Sequence, residues 1–299
     1  MTTAASHFRT QSYGKWILAG EHAVLRGSPA LVFPLASRSM KLEFFQENQP
    51  LLVTLSGPHG SELEPLFEAV LERACDLMRV PRTTLSGRLM VESSLPIGAG
   101  LGASAAFCVI MTRWFCNRGF IQAEGMADFA RTLENLFHGE SSGVDIAVAL
   151  SGQGLHFERD GKQFAMVPRW TPHWYISYTG QRGVTSDAVQ KVKALISKRP
   201  LEGRRLDFQM SEAVSGCERA LSLSEAEGLP LLAQSIQKAA DCFKEWGLSE
   251  GLVDQHLRVL RESGALAVKP TGSGGGGFAL SLWSEPPPES LKDLLIPCS

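Results

Sequence analysis

The residues in this 299-residue chain best suited to chemistry lie in a few short segments. Residues 96–104 place glycines at 98, 100 and 102 and lead into an apolar stretch that opens with Ala103 and Ser104. Glycine admits positive φ and lets a ligand come close to the backbone. A helix that starts where such a loop ends offers unpaired N–H groups and a partial positive charge to an anion. The chemistry expected is phosphate binding by Pro96, Gly98, Ala99, Gly100, Leu101, Gly102, Ala103 and Ser104, with the Ser104 hydroxyl available to phosphate or metal. A plain glycine-rich turn between strand and helix would share this composition. The loop is not a Walker A motif, because no Lys-Ser/Thr follows its last glycine. Its G-x-G-x-G spacing also differs from the dinucleotide fingerprint.

A second loop, residues 271–277, has five glycines in seven positions, four of them consecutive. Ordering such a run is entropically costly, so a packing or binding reason is expected. A flexible linker is the alternative, but the strand-like FALSLW follows at once. Asp145 sits in the apolar stretch 144–150, where a carboxylate must be capped, paired or functional. The plain alternative is an N-cap for a helix over 146–150. Glu134 falls on a predicted helix. Lys15 lies between a turn and an apolar strand, and Glu21 and His22 are adjacent in a turn.

These groups need elements to position them. Strands are predicted at 15–19, 30–35, 39–45, 51–55 and 85–93. Leu66, Ala69, Val70, Arg73 and Leu77 give Glu64–Met78 a helical period, and further helices are predicted over Ala103–Asn117 and 123–137. Residues 1–12 are expected to fray. Composition changes near 164–174, around Pro168 and Pro172, which suggests domains of 1–166 and 167–299. The second half is predicted to hold a strand at 174–179 and helices at 186–197, 211–221, 230–246 and 249–263. The second glycine loop and its strand follow, and a terminal helix is expected after a turn at 286–288. The class is α+β, with strands and helices interspersed.

Composition sets the bounds. With 44% apolar and 20% charged residues, a sizeable core is expected. A net charge of -2 gives no basic excess for nucleic acid or an anionic membrane. The six cysteines form no CxxC pair and fit no zinc spacing, so free thiols are expected. The start of the chain has no apolar signal core, and the apolar runs fall well short of the ~20 residues of a membrane span. A cytoplasmic protein is the expectation.

Taken together, GKWILAGEHAVLRGSPAL (14–31), LPIGAGLGASAA (95–106), HGESSGVDIAV (138–148) and KPTGSGGGGFAL (269–280) resemble the GHMP kinase superfamily in order and spacing. Within it the resemblance is closest to the mevalonate kinases, on the GEHAVL segment with His22 and on Glu134 four residues before His138. The motifs cover about a sixth of the chain. Galactokinases usually continue GEHTDY and phosphomevalonate kinases GEYAVL.

The resemblance implies a two-domain GHMP kinase fold. An N-terminal α/β domain and a ferredoxin-like C-terminal α+β domain would meet at an active-site cleft. It implies an ATP-dependent phosphotransferase acting on a small-molecule alcohol, with mevalonate first. Phosphomevalonate or a sugar is the alternative within the fold, and a binding protein without catalysis the alternative outside enzymes. Asp145 would be the catalytic base, supported by Lys15. Ser104 and Glu134 would hold Mg²⁺ with the ATP phosphates. Glu21, His22, Asp145, Thr271 and Gly272 would face the substrate. The resemblance also allows a homodimer. The chain departs from the family at Tyr13, Ala103, Ser141 and Phe278, and Ala103 removes one of two neighbouring hydroxyls.

Overall fold

The computed structural model describes residues 7–138, 143–159 and 161–298. Packing divides the chain into two compact units, Met1–Gly14 with Arg38–Gly152, and Lys15–Ser37 with Gln153–Ser299. The units are not contiguous in sequence, unlike the single cut between 166 and 167. Residues 15–37 pack with the C-terminal part because Trp16 and Phe33 join Trp174 in an aromatic cluster, with ring centroids 4.8–5.3 Å apart.

The first unit contains parts of strands β1 (His7–Ala19) and β2 (Ala30–Pro50), which also contribute to the second. It continues with β3 (Leu52–Ser56), α1 (Glu64–Met78), β4 (Ser86–Ser93), α2 (Ala103–Asn117), α3 (Met126–His138) and α4 (Val144–Ser151). Strand β4 runs antiparallel to β2 and parallel to β3. It turns Leu89 and Val91 inward at alternate positions, as a half-buried strand does. Helix α2 buries 11 of its 15 residues, so it is a central helix rather than an amphipathic surface one. Residues 7–12, expected to fray, are ordered as the start of β1. The strands predicted at 30–35 and 39–45 are one continuous strand: β2 pairs with β5 (Leu155–Phe157) at residues 30–32, with β4 from residue 40 onward, and also with β1.

The second unit adds β6 (Gln163–Ala165), β7 (His173–Tyr178), α5 (Thr185–Lys198), α6 (Pro200–Ser222), α7 (Glu225–Glu245) and α8 (Leu252–Glu262). It ends with β8 (Ala267–Thr271), β9 (Phe278–Trp283) and β10 (Ile296–Pro297). The order β10-β7-β9-β8 forms an antiparallel sheet. Val253, Leu257 and Leu260 of α8 pack on its Val268, Ala279 and Trp283. Helix α6 starts eleven residues before its predicted beginning. Pro200 reads as a break, yet it occupies the first turn, where its missing N–H costs nothing. The terminal helix expected after 286–288 is absent. A short 3-10 turn at Glu289–Leu291 precedes β10 instead.

All six cysteines are free, and Cys116 alone among them is not buried. Among the described residues, no helix is long and apolar enough to cross a membrane.

Candidate active site

The first glycine loop begins where β4 ends. The buried Ser93 hydroxyl accepts from the N–H of Leu95 and donates to its carbonyl, each at 3.1 Å, which fixes the exit from the strand. Farther along, the N–H of Ile97 donates to Glu62 at 3.1 Å. Gly98, Gly100 and Gly102 all take positive φ, between 70° and 84°. Gly102 is the N-cap of α2 at φ 71° and ψ 27°, a left-handed conformation that a side chain would strain. The helical ladder opens with Ala106 N–H to the Gly102 carbonyl at 2.9 Å, so the N–H groups of Ala103 and Ala105 are not used by that ladder. That is the anion-binding arrangement expected from the sequence, and Ser104 stands in it half-buried. A Cβ on Gly100 would meet nothing within 4 Å, so the loop is open on that side. On its inner side, a Cβ on Gly14 would lie 2.5 Å from Leu95 and 3.2 Å from the Leu101 carbonyl. Gly14 therefore lets β1 pass directly against the loop, immediately before Lys15 in the chain.

Helices α2, α3 and α4 pack against one another. Glu134 lies on α3 and is only 1% exposed. Its negative charge adds to burial in pushing the Cys108 thiol on α2 far above its ordinary range. Asp145 is not the N-cap of its helix; Gly143 is, at φ 83°, and Asp145 falls in the first turn, half-buried. A carboxylate there is favoured by the helix dipole. The other end of α4 is held firmly: Ser12 donates to the Ala149 carbonyl at 3.0 Å, and Arg113 to that of Leu150 at 2.8 Å. The turn 138–143 that precedes Asp145 falls largely outside the described residues, at 139–142.

The remaining candidates belong to the second unit. Lys15 is buried in β1, and its charge acts on Glu21. Glu21 is buried in an ion pair with Lys269. Burial pushes the Glu21 carboxyl up and the Lys269 ammonium down, each toward neutrality, and the partner's charge opposes this in both. Glu21 is thus not a solvated turn residue, and neither is His22, which is 5% exposed. His22 has φ 59°, and its Nε2 lies 2.8 Å from the Ser273 carbonyl. Its ring meets those of Trp246 and Phe243 edge-on. Burial holds its pKa down to about 4, so the ring is neutral at pH 7 and Nε2 carries the proton that Ser273 accepts.

The Thr271 hydroxyl bridges the backbone of Ile17, accepting from its N–H at 3.0 Å and donating to its carbonyl at 2.9 Å. The second glycine loop is tightly packed, as a close-approach role requires. A Cβ on Gly276 would fall 2.6 Å from the backbone of Gly183, and Gly275 and Gly277 donate to Leu248 and Gln181 at 2.8 and 2.7 Å.

Lys269, Arg113 and Gly14 were not picked out from the sequence. A signal existed for Lys269, a lone charge in a strand whose five residues are all buried.

Residues 66–153, which hold the first glycine loop, Glu134 and Asp145, match the family model of the GHMP kinases N terminal domain. The chain carries a GHMP kinase domain. Its relatives extend over nearly the whole length. A mevalonate kinase of Aeropyrum pernix is 28% identical over 295 residues, covering 93% of this chain and 89% of that protein. One of Thermococcus gammatolerans is 26% identical and covers 94% and 91%. The crystal structure of L. major mevalonate kinase in complex with R-mevalonate superposes with a TM-score of 0.78 at 22% identity, over 98% of this chain and 91% of that one. The fold is therefore the GHMP kinase fold, of class α+β. The GHMP kinase domain and these relatives indicate a small-molecule kinase, and the family uses ATP.

Proposed function

We propose that this GHMP kinase is a mevalonate kinase, transferring the γ-phosphoryl group of ATP to the primary alcohol of mevalonate and releasing ADP. The observation that carries the reading is the loop 96–104. Three left-handed glycines deliver a helix start whose N-cap, Gly102, has no side chain to cover it, and Glu134 and Asp145 stand on the two helices packed against that helix. Phosphoryl transfer needs charge neutralisation at the phosphates, an oriented acceptor and an exit for the hydroxyl proton.

In this reading residues 96–104 cradle the phosphates through backbone N–H groups. Asp145 orients the acceptor hydroxyl and takes its proton. Lys15 provides positive charge that lowers the energy of the developing alkoxide. Glu21, His22, Thr271 and Gly272 shape the acceptor side. For Thr271, whose hydroxyl is already engaged, and for Glu21, paired with Lys269, the contribution is to hold backbone in place.

A divalent cation fits the donor set of Ser104 and Glu134. One hydroxyl and one carboxylate are hard oxygen ligands, and Mg²⁺ commonly takes one or two such groups and completes its shell with phosphate oxygens and water. Bound there, Mg²⁺ would supply charge neutralisation for the ATP phosphates. Six free cysteines suit a reducing compartment, in keeping with a cytoplasmic enzyme.

The test is ADP release by the purified protein with ATP and each of mevalonate, phosphomevalonate, galactose and homoserine. Mevalonate should give the highest kcat/KM, and the signal should vanish when EDTA removes divalent cations. Preference for another acceptor would overturn the substrate assignment. ATP binding with no turnover on any of them would overturn the enzyme itself.

A further inference from the structure

Segments 17–22 and 269–273 are laced together by side chains at three points. Thr271 clamps the backbone of Ile17, Lys269 pairs with Glu21, and the His22 ring meets the Ser273 carbonyl. The middle tie differs in kind. Lys269 is fully buried, donates also to the Pro270 carbonyl at 2.7 Å, and lies 5.1 Å over the Phe243 ring. Glu21 is 2% exposed, and among the described residues its Oε2 has no hydrogen-bond partner.

Stability alone does not call for such a pair, since apolar side chains of like volume commonly serve as well or better. What an ion pair adds is direction: one ammonium must meet one carboxylate oxygen. The residue next to Glu21 needs that constraint. His22 holds a positive φ that only neighbours over-determining its position can maintain.

We infer that Lys269 is a positioning residue for the acceptor side of the reaction. Through Glu21 it fixes the turn that begins at Gly20, so that His22 keeps its strained backbone and its bond to Ser273. The inference rests on the proposed function in one respect, that this turn serves the acceptor alcohol.

The test uses the full chain with both charges removed, Lys269→Met with Glu21→Gln, because the single change would strand a buried carboxylate. Three measurements are made: the thermal midpoint, the NMR signals of the His22 ring, and steady-state kinetics with mevalonate and ATP. The double variant should fold, and its His22 ring should change from one Nε2–H tautomer to a mixture. The KM for mevalonate should rise about tenfold or more while that for ATP stays within about twofold.

A His22 ring unchanged from wild type would overturn the inference whatever the kinetics. A changed ring with an unchanged mevalonate KM would overturn the acceptor role. A double variant that does not fold would make the pair a requirement of stability and overturn it also. Should the wild-type protein phosphorylate no alcohol, the proposed function fails, and the His22 signals still decide whether Lys269 sets the turn.

Discussion

The guanidinium of Arg113, on α2, donates to the carbonyl of Leu150 in the last turn of α4 at 2.8 Å. The same side chain reaches the Gln11 carbonyl on β1 at 2.7 Å, so one half-buried cation ties both elements to α2. Asp145 lies at the opposite end of α4 and inherits its aim from this anchor. Asp145→Asn should lower kcat by about 10²- to 10⁴-fold, the range for loss of a general base. Arg113→Met leaves the carboxylate in place but loosens its helix, and should cost between roughly tenfold and a hundredfold in kcat. ATP KM should change little in either. Steady-state kinetics beside thermal midpoints check this; a full-strength Asp145→Asn enzyme would remove Asp145 from the chemistry.

Ser104 is half-buried at the start of α2, whereas Ala103 beside it is only 5% exposed. Only the first is placed to offer its hydroxyl to a ligand. Ser104→Ala should reduce kcat about a hundredfold or more and raise the Mg²⁺ requirement. Ala103→Ser should stay within about threefold of wild type, as suits a change that touches no charge developing in the transition state. Titrating activity with Mg²⁺ in the two variants separates them, and equal behaviour would remove Ser104 from the metal role.

Two glycines with positive φ should respond differently to a methyl group. At Gly276 the new Cβ would collide with the backbone of Gly183 and Arg182, at 2.6 and 2.7 Å. Backbone cannot swing aside, so Gly276→Ala should destabilise by about 3 kcal/mol or more. At Gly100 the Cβ meets nothing within 4 Å, and only the left-handed backbone at φ 84° resists, a cost of about 1–2 kcal/mol. Gly100→Ala should instead show itself in a raised KM for ATP. Denaturant melts and ATP titrations on both variants provide the comparison.

His22 makes stability depend on pH. Its pKa falls from 6.5 when exposed to about 4 when folded. The unfolded chain therefore binds a proton between those values that the folded chain does not. Full stability is present above pH 6.5 and is lost as pH falls toward 4. The difference is worth roughly 3 kcal/mol at most. Burial lowers the pKa of His256 as well, which adds a slope of the same sign. His22→Asn, with a side chain that tolerates positive φ, should flatten stability between pH 6.5 and 5 relative to wild type. Unfolding free energies measured across that interval test it, and an unchanged slope would mean that His22 is not neutral in the fold.

Local pattern by itself determined a good deal of this protein. The bounds of α1 and α2 follow from apolar period and flanking breakers. The loop before α2 is legible because its glycines and helix entrance are consecutive in the chain. Asp145 stood out because a carboxylate in an apolar stretch needs a reason, and Glu134 through the resemblance of its segment to a known family.

Tertiary structure decided what depends on distant partners. Strand β2 is one strand with β1 paired to it and with β4 and β5, far along the chain, paired to its two ends. Residues 15–37 join the second unit because Trp16 and Phe33 find Trp174. Lys269 and Glu21 are 248 positions apart, and no spacing rule links them. An ion pair is set by separation in space, and chain order predicts that only where one element carries both partners.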